Sequence, residues 1–428
     1  MRNYKGLLIA FCIFGVGALS VAQTTPELPD FPGSIAYVDL DHNIGTVGIQ
    51  DNALDFSALT TDGSDTRRYQ FPTWSTDGRL AYFCCDAQFA RRITAEVFIT
   101  QAATVPGVQV YDEPNDIFTY AYWSPADCDT GERCRDLGIL IGQSNGQGFG
   151  LDRIRDTAGE VDVQTLGTGA PFYYSWSGDG TQLLWHRDNN RLEIYNVEKG
   201  EITAALEQLP GLFPAPMWSP TDDRLLINVA NLETFTTELV ILDGDDITTL
   251  QAGIQGQIAF SWSPDGEQVA FRILDQNGYG RVVVVDARSG AEIAVSRADG
   301  VVAFFWSPDS RTLAFVTVEN APSTQNASTS AQEEPPTILL SWQMLTVSDN
   351  QTQRLVNFAP TAETLYMLGF FDQFAQSHQF WSPDSRFIVY ADLAAEETPP
   401  GVYILDVRST DTEPYRITDG VLGIWSYQ

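Results

Sequence analysis

The sequence predicts an all-β chain: an eight-bladed β-propeller of four-stranded antiparallel blades, its closing blade shared by the N- and C-termini. Three observations predict it. First, Ser261-Trp-Ser-Pro-Asp-Gly266 followed by Val269-Ala-Phe271 reads as a strand end, a tight turn and the next strand. Ser-Pro-Asp-Gly suits a type I turn, because Pro264 presets φ and Gly266 tolerates the left-handed region. Second, the phrase recurs around Trp74, Trp123, Trp176, Trp218, Trp306 and Trp381, and a stub of it, Leu422-Gly-Ile-Trp425-Ser, ends the chain. Successive tryptophans lie 49, 53, 42, 44, 44, 75 and 44 residues apart. A period of ~40–45 residues is that of a propeller blade. Third, Ser34–Leu40, Ile44–Gln50 and Leu54–Thr60 are strand-like runs with no Trp-Ser turn before them. They read as a blade lacking its first strand, which Val421–Ser426 supplies, so that no sheet edge is left open.

The chain in order divides as follows. Residues 1–22 read as a signal peptide: Arg2 and Lys5, an apolar run from Gly6 to Leu19, and small residues Ser20-Val-Ala22 before Gln23. That run is short for a membrane span, and Phe11 before Cys12 does not suit lipoprotein processing. The expectation is an exported chain, periplasmic or extracellular, monomeric and not inserted in a membrane once the leader is removed. Residues 23–33 are a proline-rich lead-in, and 34–428 form one propeller domain. Blade one opens at Gln70, with Leu80–Phe83 and Val97–Thr100 following. Blade two holds Trp123 and an expanded turn containing Cys128 and Cys134. Blades three to seven are marked by Trp176, Trp218, Trp262, Trp306 and Trp381. The 75-residue spacing hides two insertions: the low-complexity 319–336, expected to be mobile, and 361–376, too apolar for a solvated loop.

Strand direction assigns these elements to faces. First-to-second and third-to-fourth turns share one face. Second-to-third turns and blade-to-blade links share the other, the linking face. Both insertions fall on the linking face, as do Cys84 and Cys85, whereas Cys128 and Cys134 fall opposite. Cys128–Cys134 is therefore the preferred bridge in an oxidising compartment. Cys84 and Cys85 are left as a vicinal bridge or reduced.

Composition bounds the partners. The formal charge is −32 from 24 basic and 56 acidic residues, and Lys199 is the one lysine beyond the leader. Such a surface repels nucleic acid and anionic lipid.

At Trp-Ser-Pro-Asp-Gly followed by an apolar strand, the chain resembles the TolB-type, WD40-like (PD40) propeller repeat. Leu59-Thr-Thr-Asp-Gly63 and Ile417-Thr-Asp-Gly420 are similar to that family's fourth-strand endings. The departures are Thr76 and Gly178 for Pro, and Asp223, Ser310 and Ser385 for Gly; blade two has no Asp-Gly. TolB itself carries an α/β domain that nothing here resembles. Prolyl-oligopeptidase-type relatives add a hydrolase domain that this chain does not show. The resemblance implies an exported propeller more than it implies a reaction.

Few constellations suggest chemistry. Gly142-Gln-Ser-Asn-Gly146 matches a nucleophile-elbow pattern, but no helix follows it, so a polar hairpin is expected. His42, His186 and His378 could hold a transition metal, as histidines do in the related oligogalacturonate lyases, though they sit on separate blades. Asp39-Leu-Asp41-His-Asn43 and Asp243-Gly-Asp-Asp246 could attract calcium, but they equally suit turns, so no cofactor is expected. The turn aspartates (Asp77, Asp179, Asp265, Asp309, Asp384) and the repeated tryptophans are expected to be structural. Two functions follow. The first is a non-catalytic, protein-binding scaffold whose surface is the 361–376 insertion, centred on Tyr366, Met367, Phe370, Phe371 and Phe374. The second is a carbohydrate-active or hydrolytic enzyme with its site at the channel mouth. If the insertion instead folds down, its aromatics plug the channel.

Overall fold

Each repeat begins with a turn that satisfies its own polar groups. In four blades the serine after the tryptophan donates its Oγ–H to the aspartate two residues on. These bonds are Ser177–Asp179, Ser263–Asp265, Ser307–Asp309 and Ser382–Asp384, at 2.6–2.7 Å. The same carboxylates accept backbone N–H groups from Thr181, Glu267, Arg311 and Arg386. The repeated aspartates are thus turn ligands, as their sequence context predicts.

The computed structural model describes residues 28–85, 94–114, 116–128, 134–143, 148–157, 160–211, 215–274, 280–319, 338–393, 398–409 and 413–428. The leader 1–22, most of the 319–336 insertion, and the central Ser144-Asn145-Gly146 of the elbow-like pattern lie outside the described residues. The chain forms eight antiparallel sheets, seven of four strands and one of three, and is an eight-bladed propeller. Ser34–Val38 pairs with Ile44–Gln50 on one side and with Leu422–Trp425 on the other. The register Ile35↔Trp425, Ala36↔Ile424, Tyr37↔Gly423, Val38↔Leu422 closes the ring with strands from both ends of the chain. Blade seven departs from the four-strand expectation. Its first strand survives only as the bridges Trp381↔Ile388 and Gln379↔Trp425. The preceding insertion remains helical as far as Ser377, which leaves few residues for an extended run.

The blades are stitched together by their tryptophans. The indole N–H of Trp74, Trp123, Trp176, Trp306 and Trp381 donates to the carbonyl of Ile424, Thr73, Tyr122, Ser261 and Phe305 respectively, at 3.0–3.5 Å. In each case the acceptor is the residue before the tryptophan of the preceding blade. The body of each ring fills the wedge between two sheets; burying an indole is worth ~4–6 kcal/mol by area, an upper bound.

The glycine departures have a local cause. A Cβ on Gly266 would lie 2.3 Å from Thr221 Oγ1, and one on Gly180 would lie 2.2 Å from Ser124 Oγ. Ser310 and Ser385 occupy the same turn position at φ 60° and 59°. Their Oγ atoms accept the N–H of Asp265 and Asp309 from the preceding blade, at 3.0 and 3.1 Å. Backbone strain there is matched by a hydrogen bond between blades.

Cys128 and Cys134 are disulfide-bonded, and Cys84 is bonded to Cys85. Among the described residues no helix is long and apolar enough to cross a membrane.

Deleting residues 420–428 removes the first strand of the closing blade and the Ile424 carbonyl that holds Trp74. We expect the variant to lose more than ~5 kcal/mol and its cooperative urea transition, since this reaches the whole stability of many domains. A truncated protein that keeps the wild-type midpoint would exclude the shared-blade closure.

Candidate functional site: an axial cup closed by a helical plug

The 361–376 insertion folds as two short helices, α1 (Ala362–Gly369) and α2 (Phe371–Ser377). Thr361 caps α1, its hydroxyl accepting Thr364 N–H and donating to the Val421 carbonyl at 2.6 Å. Phe370 is the hinge between the helices. Met367 of α1 and Phe371 and Phe374 of α2 are the buried members of the five candidate residues, on either side of that hinge. These side chains turn into the channel, where Met367 is 0%, Phe374 1% and Phe371 2% exposed. Phe371 packs on Phe304 and Phe305 of blade six, and Arg272 of blade five lies 5.0 Å over its ring. Phe374 packs on Phe71 of blade one and Tyr120 of blade two. Tyr120 donates its hydroxyl to the Gln373 carbonyl at 2.8 Å, and the Asp372 carboxylate accepts Ala215 N–H at 3.2 Å.

These contacts correct the expectation of a five-residue interface. Met367, Phe371 and Phe374 bridge the first strands of several blades and are core. Tyr366 and Phe370, on the opposite side of the helices, remain 38% and 47% exposed beside Leu365. Even Tyr366 leans inward, its ring 5.2 Å from Phe71.

The histidines do not converge. His42 sits at positive φ in the turn after Ser34–Val38. His186 is buried in the blade-three strand Gln182–Arg187, beside Tyr173. His378 caps α2 inside the channel, with Nδ1 2.7 Å from Ser377 Oγ and Nε2 3.2 Å from Thr73 Oγ1. Burial lowers its pKa to about 3, so it is neutral. Among the described residues, the one group of three potential ligands with donor atoms within 4.8 Å of one another is Cys84, Cys85 and Glu96. In one acidic turn, Asp39 Oδ1 accepts the N–H groups of Asp41 and Asn43; in the other, Asp243 and Asp246 face each other across their hairpin.

The plug leaves a blind cavity of about 280 Å³ on the face of the Trp-Ser-Pro turns. Its floor is the end of the insertion, Ala375, Gln376 and His378. Its wall is built from tryptophans of blades three to seven and from Tyr122, Phe305, Phe380 and Tyr427. Pro125, Pro220, Pro264 and Pro308 of the repeated turns complete it. No Asp, Glu, Lys or Arg lines it, although the chain carries 80 such residues by its basic and acidic counts. Burial raises the Tyr122 pKa to about 12 and that of Tyr427 further, so both stay neutral. The repeat pattern contains every one of these tryptophans and prolines. Sequence reasoning placed the tryptophans in the core and missed the cup, because only ring closure brings the turns of non-adjacent repeats to one axis.

Fold and cavity together define the class: a β-propeller whose channel is plugged from one face and open as an aromatic cup on the other. No protein-family model and no curated protein sequence matches the chain. Solved structures match its fold. A eukaryotic initiation factor aligns over 92% of this chain and 98% of its own, at 11% identity and a TM-score of 0.52. An oligogalacturonate lyase in complex with manganese aligns over 88% and 96%, at 11% identity and a TM-score of 0.51. TolB from Acinetobacter baumannii aligns over 82% of each chain at 13% identity, with a TM-score of only 0.36. At these identities the likeness is one of fold.

Two outcomes follow for the plug. Phe371→Ala or Phe374→Ala should each cost ~3–5 kcal/mol in urea unfolding, whereas Phe370→Ala should stay within ~0.5 kcal/mol. Equal, small effects at all three would mean that the plug is not core. The second outcome is a pH dependence. The folded-state pKa of His378 lies below the ordinary 6.5, so the unfolded chain takes up the proton first as pH falls. Its contribution is complete above pH ~6.5 and declines from there towards pH 3. Asp372 acts in the opposite sense, because burial raises its pKa and its contribution declines as pH rises through the carboxyl range. The quantity to measure is therefore the stability difference between wild type and His378→Gln, which should shrink between pH 7.5 and pH 5.

Proposed function

We propose that this chain is an exported, non-catalytic propeller that binds a protein partner, with the axial cup receiving a neutral apolar segment of that partner. The observation that carries this reading is the cup's composition: aromatic and proline walls with no ionised side chain on a strongly acidic chain. A pocket of that kind gains affinity by desolvating apolar and aromatic groups and excludes charged ones, which would lose hydration without gaining a partner. The tryptophan faces are mostly buried between blades, with only Trp306 partly exposed among those of the wall. The cup therefore offers apolar edges and prolines more than broad stacking platforms, which favours the side chains of a protein over the ring faces of a sugar. An anionic sugar would call for cationic side chains, and the lining supplies none; its one imidazole, His378, is held by Ser377 and Thr73. Export rests on the leader-like residues 1–22. The exposed Leu365, Tyr366 and Phe370 form a smaller apolar patch on the opposite face.

Gln376→Glu places one charge in the cup at nearly constant volume and is the test. Immobilised wild-type protein is used to recover partners from the native envelope and secreted fractions, and the affinity of the recovered partner is then titrated. We expect Gln376→Glu to weaken binding at least ~10-fold, equivalent to ~1.4 kcal/mol. Tyr366→Ala with Phe370→Ala should leave it within about twofold. The reverse ranking would move the interface to the linking face, and turnover of uronate oligosaccharides by the wild-type protein would replace binding with catalysis.

A further inference from the structure

A second site stands apart from the cup, on the linking face of blade one. Cys84 ends the strand Leu80–Cys84 and lies directly across the ladder from Glu96 in the strand Thr94–Ile99. Cys85 continues the ladder by donating its N–H to the Thr94 carbonyl at 3.0 Å. Both sulfurs and a Glu96 carboxylate oxygen lie within 4.8 Å of one another. The cysteines are 1% and 5% exposed, and the Glu96 side chain 14%. Arg67, on the link from the closing blade, donates to Cys85 Sγ at 3.3 Å and to Glu96 Oε2 at 3.0 Å.

We propose that Cys84, Cys85 and Glu96 form a redox-gated site for a thiophilic divalent cation such as Zn²⁺, closed while the two sulfurs are joined and open once they are reduced. Two thiolates and one carboxylate match the donor preferences of zinc. Charge points the same way. With both thiols deprotonated, the three anionic donors face one guanidinium, which Asp62 also shares at 3.0 Å, so at least two negative charges remain uncompensated in a buried place, and a divalent ion offsets them. Each step balances. A phosphine reductant takes the oxygen of one water to become a phosphine oxide, and the disulfide becomes two thiols. Zn²⁺ then displaces the two thiol protons, which are released to solvent. The ion would tie the end of one blade-one strand to the next, at the position the disulfide occupies in the oxidised chain.

The test uses the full-length protein, reduced with a phosphine that is then removed without air, and Zn²⁺ offered in competition with a chromogenic chelator. Reduced wild type should take up one equivalent and show a higher thermal midpoint with zinc than without. Oxidised wild type should take up none at this site. Cys84→Ser with Cys85→Ser should abolish uptake under the same reduction, which also opens Cys128–Cys134 and so controls for that pair. Glu96→Gln keeps both sulfurs and should weaken binding by at least ~10-fold, the loss that even an outer-sphere partner causes. Co²⁺ in place of Zn²⁺ should give thiolate-to-metal charge-transfer absorption in reduced wild type and not in the serine variant. The proposal is overturned if reduced wild type binds no zinc, if the oxidised protein or the serine variant binds it equally well, or if Glu96→Gln binds it unchanged.

Discussion

The indole N–H bond to the preceding blade's backbone is the constraint on which the rest of this structure depends. A propeller blade cannot bury both faces of its sheet alone, so each must be held against its neighbours at a fixed angle. The tryptophan does this twice over, because its ring fills the wedge between sheets and its N–H fixes the register. The relay runs through the closing blade: Trp74 donates to Ile424, which the chain reaches only at its far end. It lapses at three positions. Trp218, Trp262 and Trp425 are buried with no partner for the indole nitrogen among the described residues. Two of these three, Trp218 and Trp262, line the cup. The other three wall tryptophans, Trp176, Trp306 and Trp381, keep the bond.

The plug is the second consequence of ring closure. Eight blades leave an axis too wide for the first strands to fill with their own side chains. The insertion supplies the missing apolar volume by sending Phe371 towards blade six and Phe374 towards blades one and two. Burial of Asp372 and Arg272 accompanies it. Desolvation raises the first pKa and lowers the second to about 10, a cost that the Ala215 N–H and the Arg272 bond to the Val301 carbonyl offset only in part. Filling the channel makes its two mouths independent surfaces, so a ligand in the cup has no route to the linking face.

Blade number, closure and turn chemistry were legible in the sequence because each is local or strictly periodic. Tryptophans 42–53 residues apart, with one spacing of 75, and a headless set of strands at the start are enough to place Leu422–Trp425 beside Ser34–Val38. The direction of the insertion was not, since residue type alone treats all five as interface candidates. What separates them is how the two short helices meet at Phe370, which burial shows and the sequence pattern does not. The cup was not legible in the same way. Its residues come from six turns and the tail of the plug, and no periodicity reveals that prolines more than 40 residues apart share one cavity. Juxtaposition of Glu96 with Cys84 is intermediate: the hairpin was legible, but the register that sets them opposite one another was not.

If the cup binds a partner as proposed, charge would set its selectivity. The chain's 56 acidic residues against 24 basic ones make a field that draws in partners of positive or dipolar surface and holds off anions. The cup itself contributes nothing to that field, since its lining is uncharged and His378 stays neutral. On the proposed reading, steering and retention would fall to different parts of the molecule: the acidic surface would govern encounter and carry the salt dependence, and the cup would govern how long a partner stays, through apolar contacts that salt does not screen. A partner fitted to both would present an uncharged, apolar tip surrounded by basic residues. That reading fits a strongly charged protein with one cavity free of charge: a single carboxylate there would face an unsolvated apolar ligand and repel the partner that the surrounding surface would attract.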